Sequence, residues 1–227
     1  MADPAAPDHD PVTLAGGKSP HPVTGGKTPL PAPLTGRTPA IGAAVSRIRT
    51  TLILGGARSG KSRLAENLAR TGGRSVAVVA TARVGEDAEM AERIRLHRLA
   101  RPGDWLTVEE PWHLAAAMEQ LATPGRTIVV DCLTLWITNL LLREEQESDH
   151  GLFSRELAAL TRLLPGLPGE SILVTNETGM GITPMGELTR RFVDATGRTN
   201  QELAQLCERV ILMVAGLPWT LKGIPPS

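Results

Sequence analysis

The sequence has few cysteines, no net charge and no long apolar run. Its two cysteines, Cys132 and Cys207, fall in different predicted elements of the 227-residue chain. Two isolated cysteines form neither a disulfide framework nor a metal-binding pattern. We therefore expect two reduced, buried thiols in a cytoplasmic protein.

Charge and hydropathy exclude further classes. The 24 basic and 24 acidic side chains balance at pH 7. A domain that holds a nucleic-acid backbone is usually basic, so no nucleic-acid partner is expected. No run of about 18 apolar residues occurs, which predicts no membrane span. The N-terminus lacks an apolar core, so we expect no secretory signal.

The first 46 residues differ in composition from the rest. They are rich in Pro, Gly, Thr and Ala and repeat the loose phrases PVTLAGGKSP, PVTGGKTP and PLTGRTP. Such a segment buries too little apolar surface to offset the entropy lost on ordering. We predict a disordered tail over residues 1–46 and one globular domain over residues 47–227.

Within this domain, apolar runs alternate with helical patterns. The predicted strands are TLILGG, SVAVVATA, RTIVVDCL, SILVTNE and RVILMVAGLP, of which the last is the final clear strand. Helical segments separate them, and one of these has an expected break near Gly197. This alternation predicts an α/β fold with a mostly parallel sheet flanked by helices. Ligands on such sheets bind at the carboxyl ends of the strands.

The first strand runs into a phosphate-binding loop. Residues 55–62, GGARSGKS, match G-x-x-x-x-G-K-[ST] between a predicted strand and a predicted helix. Backbone N–H groups and the helix N-terminus would hold phosphates there. Lys61 would reach the β- and γ-phosphates, and the Ser62 hydroxyl would bind Mg²⁺. The predicted nucleotide contacts are Gly55, Gly56, Ala57, Arg58, Ser59, Gly60, Lys61 and Ser62.

A carboxylate at the end of another buried strand would complete the magnesium site. Asp131 ends the run TIVVD and has this position. The alternative is an aspartate that forms a turn or caps the helix that follows.

Three further segments bear on which reaction the phosphate loop serves. In EDAEMAERIRLHRLARP, Met90, Ile94 and His97 share one helix face. His97 is either packed beside its apolar neighbours or a nucleophile toward phosphorus. The segment LVTNETGMGITP is either a substrate loop or an ordinary turn. The segment GRTNQELA, with Arg198 and Asn200, is either functional or a helix cap.

In this order, the segments GGARSGKSRLAE, DAEMAERIRLHRLARP, EEP, VDCLTLWITNLL, VTNETGMGITP and GRTNQELA carry a family resemblance. Together they resemble the bifunctional adenosylcobinamide kinase / adenosylcobinamide-phosphate guanylyltransferases of cobalamin biosynthesis, over most of residues 50–216. The resemblance implies a P-loop NTPase domain, a RecA-like three-layer sandwich. The tail has no counterpart in the family pattern.

The resemblance implies two reactions. In the first, ATP or GTP phosphorylates the hydroxyl of adenosylcobinamide. In the second, GTP guanylylates a histidine, and GMP then passes to adenosylcobinamide phosphate. The family histidine falls on His97, which with Lys61 would be catalytic. The implied nucleotide contacts beyond the phosphate loop are Thr81, Ala82, Arg83, Arg98, Leu99, Ala100, Arg101, Glu109 and Asp131.

The implied cofactors are GTP, ATP and Mg²⁺, with Ser62 and Asp131 as metal ligands. The resemblance also implies a homo-oligomer, a trimer with active sites near subunit contacts. Two alternatives stay open. One is a phosphate-loop kinase of another small alcohol, and the other is a nucleotide-dependent regulatory switch.

Overall fold

The computed structural model describes residues 48–83, 92, 95, 102–182 and 184–226. They belong to one compact unit that extends from Val45 to Ser227. The predicted tail lies outside the described residues, so its disorder stays a prediction. Of the predicted helix at 87–101, only Glu92 and Arg95 are described; both are helical, and their side chains form an ion pair of 2.6 Å. Within the described part of the chain, no helix combines the length and apolarity needed to cross a membrane.

The described strands form one seven-stranded sheet in the order β3-β2-β4-β5-β1-β6-β7. All neighbouring strands are parallel except β6 and β7, which form an antiparallel hairpin. The strands are β1 (Thr50–Gly55), β2 (Ser75–Ala80), β3 (Leu106–Glu109), β4 (Arg126–Asp131), β5 (Glu170–Val174), β6 (Arg209–Val214) and β7 (Leu217–Lys222).

Helices connect the parallel strands. They are α1 (Lys61–Thr71), α2 (Leu114–Leu121), α3 (Leu133–Glu147), α4 (Leu152–Leu163), which a 3₁₀ turn at Leu164–Gly166 extends, and α5 (Glu187–Leu206). The carboxyl ends of the parallel strands therefore lie at one edge of the sheet, where the chain leaves each strand for the next element.

Side-chain alternation along the strands divides the core between the two faces of the sheet. Leu52 and Leu54 of β1 face a cluster formed with helices α2–α5. Ile53, between them, faces the opposite cluster, where Ala65 and Ala69 of α1 pack. Helices thus cover both faces, and the predicted three-layer α/β sandwich is confirmed.

The strand order also agrees with the RecA-like prediction. Strand β5 lies between β1, which leads into the phosphate loop, and β4, which ends at Asp131. The loop and the acid therefore follow two strands that are separated by one other strand, as in RecA-like P-loop NTPases.

The predicted break near Gly197 is wrong, because α5 runs continuously from Glu187 to Leu206. An interior glycine costs a helix only about 1 kcal/mol relative to alanine. The buried face of α5, with Ala195, Thr199 and Leu203, stabilises the helix across that position. Strands β3 and β7 are additions that the sequence pattern did not predict.

Candidate active site

The phosphate loop joins β1 to α1 and needs glycine at its two ends. Gly55 has φ 152° and Gly60 has φ 96°, both in the region that glycine tolerates. A Cβ atom on Gly55 would lie 2.5 Å from the Met213 carbonyl oxygen and 2.7 Å from Ser59 Oγ. The first glycine of the motif is therefore required by close packing against β6 as well as by backbone conformation.

Two neighbouring segments hold the loop in place. The Gly216 N–H, in the β6–β7 turn, donates to the Ser59 carbonyl at 3.1 Å, and the Glu177 N–H, just after β5, donates to the Gly55 carbonyl at 3.1 Å. The loop is thus fixed between the chain segments that follow its two neighbouring strands. It borders an open cleft of about 540 Å³ that includes Arg58, Arg63 and Ala215 in its wall.

Lys61 begins α1, and its side chain folds back over the loop. Its Nζ donates to the Gly56 carbonyl at 2.6 Å, and the residue is buried. Burial lowers the pKa of Lys61, while negative charge on Cys132, when ionised, and on Asp131 opposes the shift. The pKa of the Cys132 thiol is itself raised to about 11, chiefly by burial, so this thiol keeps its proton near pH 7.

Ser59 adds a buried hydroxyl inside the loop. Its Oγ has no hydrogen-bond partner among the described residues. An unpaired buried hydroxyl is costly, because it has lost its contacts with water without replacement. A phosphate oxygen held in the loop is an acceptor that would satisfy it.

Asp131 ends β4 beside the start of α1. It lines a cavity of about 10 Å³ together with Ser62 and Glu66, on the α1 face of the sheet. Cys132, and not Asp131, is the N-cap residue of α3, and no side chain caps that helix. The aspartate is therefore not the helix cap that the sequence left open.

Ser62, Glu66 and Asp131 contribute oxygen atoms to a lining that is otherwise apolar. Oxygen groups of this kind are what Mg²⁺ accepts, because it binds few protein groups and completes its shell with water and phosphate oxygens. No cluster of three or more His, Cys, Asp or Glu side chains that could hold a metal occurs in the described ranges. Glu66 was not predicted as a site residue. Its spacing four residues after Ser62 puts both on one face of α1, a signal that could have identified it.

Thr81 follows β2 and is fully buried. Its hydroxyl donates to the Cys132 carbonyl at 2.7 Å and accepts from the Cys132 N–H at 3.0 Å. Its own N–H donates to the Asp131 carbonyl at 3.3 Å. Thr81 thus holds the chain just after Asp131, while its neighbours Ala82 and Arg83 are partly buried and exposed, respectively.

Asn139 and Trp112 support this edge of the sheet and were missed as site residues. Asn139, buried in α3, donates through Nδ2 to the Thr81 carbonyl at 2.7 Å and to the Pro111 carbonyl at 3.3 Å. Two guanidinium groups lie over the Trp112 ring, with Arg83 Cζ at 5.0 Å and Arg143 Cζ at 5.1 Å from its centroid. These contacts orient Arg83, because a cation is attracted to the face of an indole ring.

Glu109 ends β3 and is paired in register with Ala80 of β2, so it lies at the same edge as Thr81. The described part of the chain therefore brings the phosphate loop, Asp131, the segment 81–83 and Glu109 to the carboxyl ends of neighbouring strands. His97, Arg98, Leu99, Ala100 and Arg101 lie outside the described residues. Their roles stay predictions.

The segment after β5 is anchored by α5. Asn200 accepts a hydrogen bond from the Thr175 hydroxyl at 3.0 Å and donates to the Asn176 carbonyl at 3.3 Å. Arg198 is exposed and pairs with Glu202 at 2.8 Å. In GRTNQELA, neither residue caps a helix, and Asn200 connects the helix to the strand end beside the phosphate loop.

Comparison with known proteins identifies the family. The family model for cobinamide kinase / cobinamide phosphate guanyltransferase matches residues 51–221. The bifunctional adenosylcobalamin biosynthesis protein CobP of Pseudomonas aeruginosa is 55% identical over 174 residues, covering 77% of this chain and 98% of that protein. The corresponding CobU of Escherichia coli is 38% identical over 180 residues, covering 75% of this chain and 98% of that protein.

Among solved structures, the RadB recombinase matches with a TM-score of 0.42 and 18% identity, covering 72% of this chain and 73% of that one. The match to the family model spans the phosphate loop, Asp131 and the segment after β5, all of which meet at one edge of the sheet. The chain belongs to the cobinamide kinase / cobinamide phosphate guanyltransferase family.

Proposed function

We propose that this protein phosphorylates adenosylcobinamide and then transfers GMP from GTP to adenosylcobinamide phosphate, giving adenosylcobinamide-GDP. The observation that carries the proposal is the family match over residues 51–221, which is supported by two relatives covered over 98% of their length. Both reactions start from a nucleoside triphosphate, and the phosphate loop supplies the groups that such a ligand needs.

In the kinase reaction, ATP or GTP would lie with its phosphates in the loop from Gly55 to Ser62. The acceptor hydroxyl attacks the γ-phosphorus, the bond from that phosphorus to the β-phosphate oxygen breaks, and the hydroxyl proton is released. Lys61, already positioned over the loop, would transfer its hydrogen bond from the Gly56 carbonyl to phosphate oxygens. Mg²⁺, held through Ser62 and Asp131, would neutralise charge on the triphosphate.

In the guanylyl transfer, His97 would act on the α-phosphorus of GTP. A ring nitrogen attacks, the bond to the β-phosphate oxygen breaks, and pyrophosphate leaves. A phosphate oxygen of adenosylcobinamide phosphate then attacks the same phosphorus and breaks the P–N bond. Following the family pattern, the segment 81–83, residues 98–101 and Glu109 would contact the guanine nucleotide.

The test uses GTP labelled at the α-phosphate, with Mg²⁺ and the full chain. We expect label on the protein that is labile in acid and stable in base, as for a phosphoramidate. His97→Ala should remove the label. His113→Ala is the matched control and should retain it, because His113 is an exposed histidine that contacts Glu156 on the α2–α4 side.

Each outcome discriminates between functions. No label on folded protein that still phosphorylates an alcohol would leave a simple kinase. No label and no phosphorylation, together with nucleotide-dependent partner binding, would favour a regulatory switch. Label that survives His97→Ala would assign the nucleophile to another residue.

The proposal extends to assembly and location. Following the family pattern, we infer a homotrimer with active sites near subunit contacts, and sedimentation equilibrium tests this by giving a mass three times that of one chain. The nucleotide substrates and the two free thiols, Cys132 and Cys207, support a cytoplasmic location.

A further inference from the structure

The segment after β5 presents an unusually apolar surface. We call residues 177–182 and 184–186 the acceptor loop. Its side chains Met180, Ile182 and Met185 are 79%, 98% and 96% exposed, the highest values for large apolar side chains in the described part of the chain. Three such side chains on one short loop are more than the scattered exposure usual for a protein surface.

This loop is held at both ends. At its root, the Asn176 N–H donates to Thr134 Oγ1 at 2.8 Å, and the Asn176 carbonyl accepts from Asn200. At its return, the Arg190 guanidinium donates to the carbonyls of Pro184 and Met185. The apolar side chains are therefore presented from a chain segment whose backbone is tied to α3 and α5.

The acceptor loop adjoins the phosphate loop directly. The hydrogen bond from the Glu177 N–H to the Gly55 carbonyl, 3.1 Å long, joins the two loops. Strands β1 and β5, which lead into them, are neighbours in the sheet. The root of the acceptor loop therefore lies beside the phosphate loop.

Polar groups line a cavity of about 160 Å³ beneath the loop. Arg190 and Asp194 of α5 contribute to its wall, together with Thr178, Ile182 and Val193. Thr178 Oγ1 is buried and has no hydrogen-bond partner among the described residues. The cavity thus offers a hydroxyl, a carboxylate and a guanidinium next to apolar surface.

We propose that the acceptor loop binds the corrinoid macrocycle of the acceptor. This proposal rests on the proposed function and assigns the part of the substrate that carries no nucleotide. A corrinoid is a broad ring with methyl groups on its periphery and amide side arms. The ring would cover Met180, Ile182 and Met185, and one amide arm would enter the cavity at Thr178 and Asp194. The arm that ends in the hydroxyl would then extend toward the phosphate loop.

The match of chemistry favours this occupant over a second copy of the chain. A ligand with both methyl groups and amides uses the apolar tip and the polar cavity together, whereas an apolar protein contact would leave the Thr178 hydroxyl unpaired. The ring is too broad for a cavity of about 160 Å³, so an exposed surface with a small side pocket is the shape it requires.

The experiment measures binding of cobinamide, which absorbs visible light, by equilibrium dialysis against the full chain. The variant is Met180→Ser/Ile182→Ser/Met185→Ser. The matched control is Leu217→Ser/Leu221→Ser/Ile224→Ser, which removes three aliphatic side chains that are 71%, 53% and 64% exposed around β7. GTP binding with Mg²⁺ and sedimentation velocity are measured on the same samples.

We expect the loop variant to bind cobinamide about 10-fold or more weakly, because three apolar contacts are lost. Its GTP affinity and sedimentation coefficient should match those of the unmodified chain, and the control should bind both ligands normally. Cobinamide affinity unchanged in the loop variant would overturn the proposal. An oligomer that dissociates in the loop variant would also overturn it, by assigning this surface to a second copy. An unmodified chain that binds GTP but no cobinamide would instead contradict the proposed function.

Discussion

The phosphate loop and the acceptor loop follow neighbouring strands at the same edge of the sheet, but the first suits a small charged ligand and the second a broad, partly apolar one. The phosphate loop turns inward: Ser59 and Lys61 are buried, and Gly55 and Gly60 have φ values that favour glycine. The acceptor loop turns outward and exposes Ile182 almost completely. A small, highly charged ligand needs converging N–H groups and excluded water, whereas a broad ligand with apolar edges needs open surface.

The largest loss of stability is expected from a substitution at Gly55, where the phosphate loop is packed most tightly. Gly55→Ala puts a Cβ atom 2.5 Å from the Met213 carbonyl oxygen at φ 152°. We expect the free energy of unfolding to fall by about 3 kcal/mol, through strain and overpacking. For a domain of this size the melting temperature should fall by roughly 6–12 °C.

Gly56→Ala is the matched control for that change. A Cβ atom on Gly56 would meet no atom within 4 Å. Thermal unfolding of the two variants should therefore differ clearly, with Gly56→Ala close to the unmodified chain. Equal melting temperatures for both variants would contradict the close packing of the first glycine against β6.

A smaller effect is expected at the root of the acceptor loop. Asn200→Leu leaves the Thr175 hydroxyl and the Asn176 carbonyl without this partner and should cost about 2 kcal/mol in the free energy of unfolding. It should also raise the KM for cobinamide more than the KM for GTP, because the acceptor loop is displaced first.

Arg198→Ala, on the same helix, is its control. Arg198 is exposed and, among the described residues, forms an ion pair with Glu202, so its loss should change stability by less than about 0.5 kcal/mol. Chemical denaturation and steady-state kinetics on both variants provide the check. If Asn200→Leu raised the KM for GTP more than the KM for cobinamide, the assignment of GTP to the phosphate loop and of cobinamide to the acceptor loop would be contradicted.

The smallest expected effects are on the reactivity of the two thiols and on the pH dependence of stability. Burial raises the pKa of Cys132 to about 11 and that of Cys207 to about 12. Both should react slowly with a disulfide reagent at pH 8 and rapidly after unfolding.

The folded Cys132 thiol keeps its proton to higher pH than the unfolded thiol, whose ordinary pKa is 9.0. Its contribution to stability is therefore complete below pH 9.0 and is lost as the pH rises toward about 11. Of the two thiols expected to be buried, Cys207 is buried, whereas Cys132 is half-buried as a residue. Rapid reaction of native Cys132 at pH 8 would contradict its raised pKa.

The glycine motif and the apolar strands were predictable, because local pattern and spacing alone determine them. Asn139 was not: in TLWITNLLL it is the one amide side chain of a largely apolar segment, and its partner Thr81 is 58 residues away in sequence. Pairing of that kind depends on the topology of the sheet. The Trp112 contact with Arg83 depends on it as well.

The two unpredicted strands have local reasons. Strand β7 begins just after a tight turn at Ala215 and Gly216, whose φ values are 52° and 83°, and it contains Pro218. In the sequence, a glycine followed so closely by a proline indicates the end of a strand and not the start of another. An edge strand tolerates proline, because one side of its backbone forms no ladder. In β3, three of the four residues are exposed, which removes the apolar signal of a buried strand.

We propose that one phosphate loop serves both reactions. The most direct test compares Lys61→Ala with Arg70→Ala, an exposed change at the other end of α1, in separate assays of cobinamide phosphorylation and GMP transfer. We expect Lys61→Ala to lower both rates by about 100-fold or more, because the same ammonium group contacts the triphosphate in both reactions, and we expect Arg70→Ala to change neither rate. A Lys61→Ala protein that retains a near-normal rate in either reaction would contradict the single-site account.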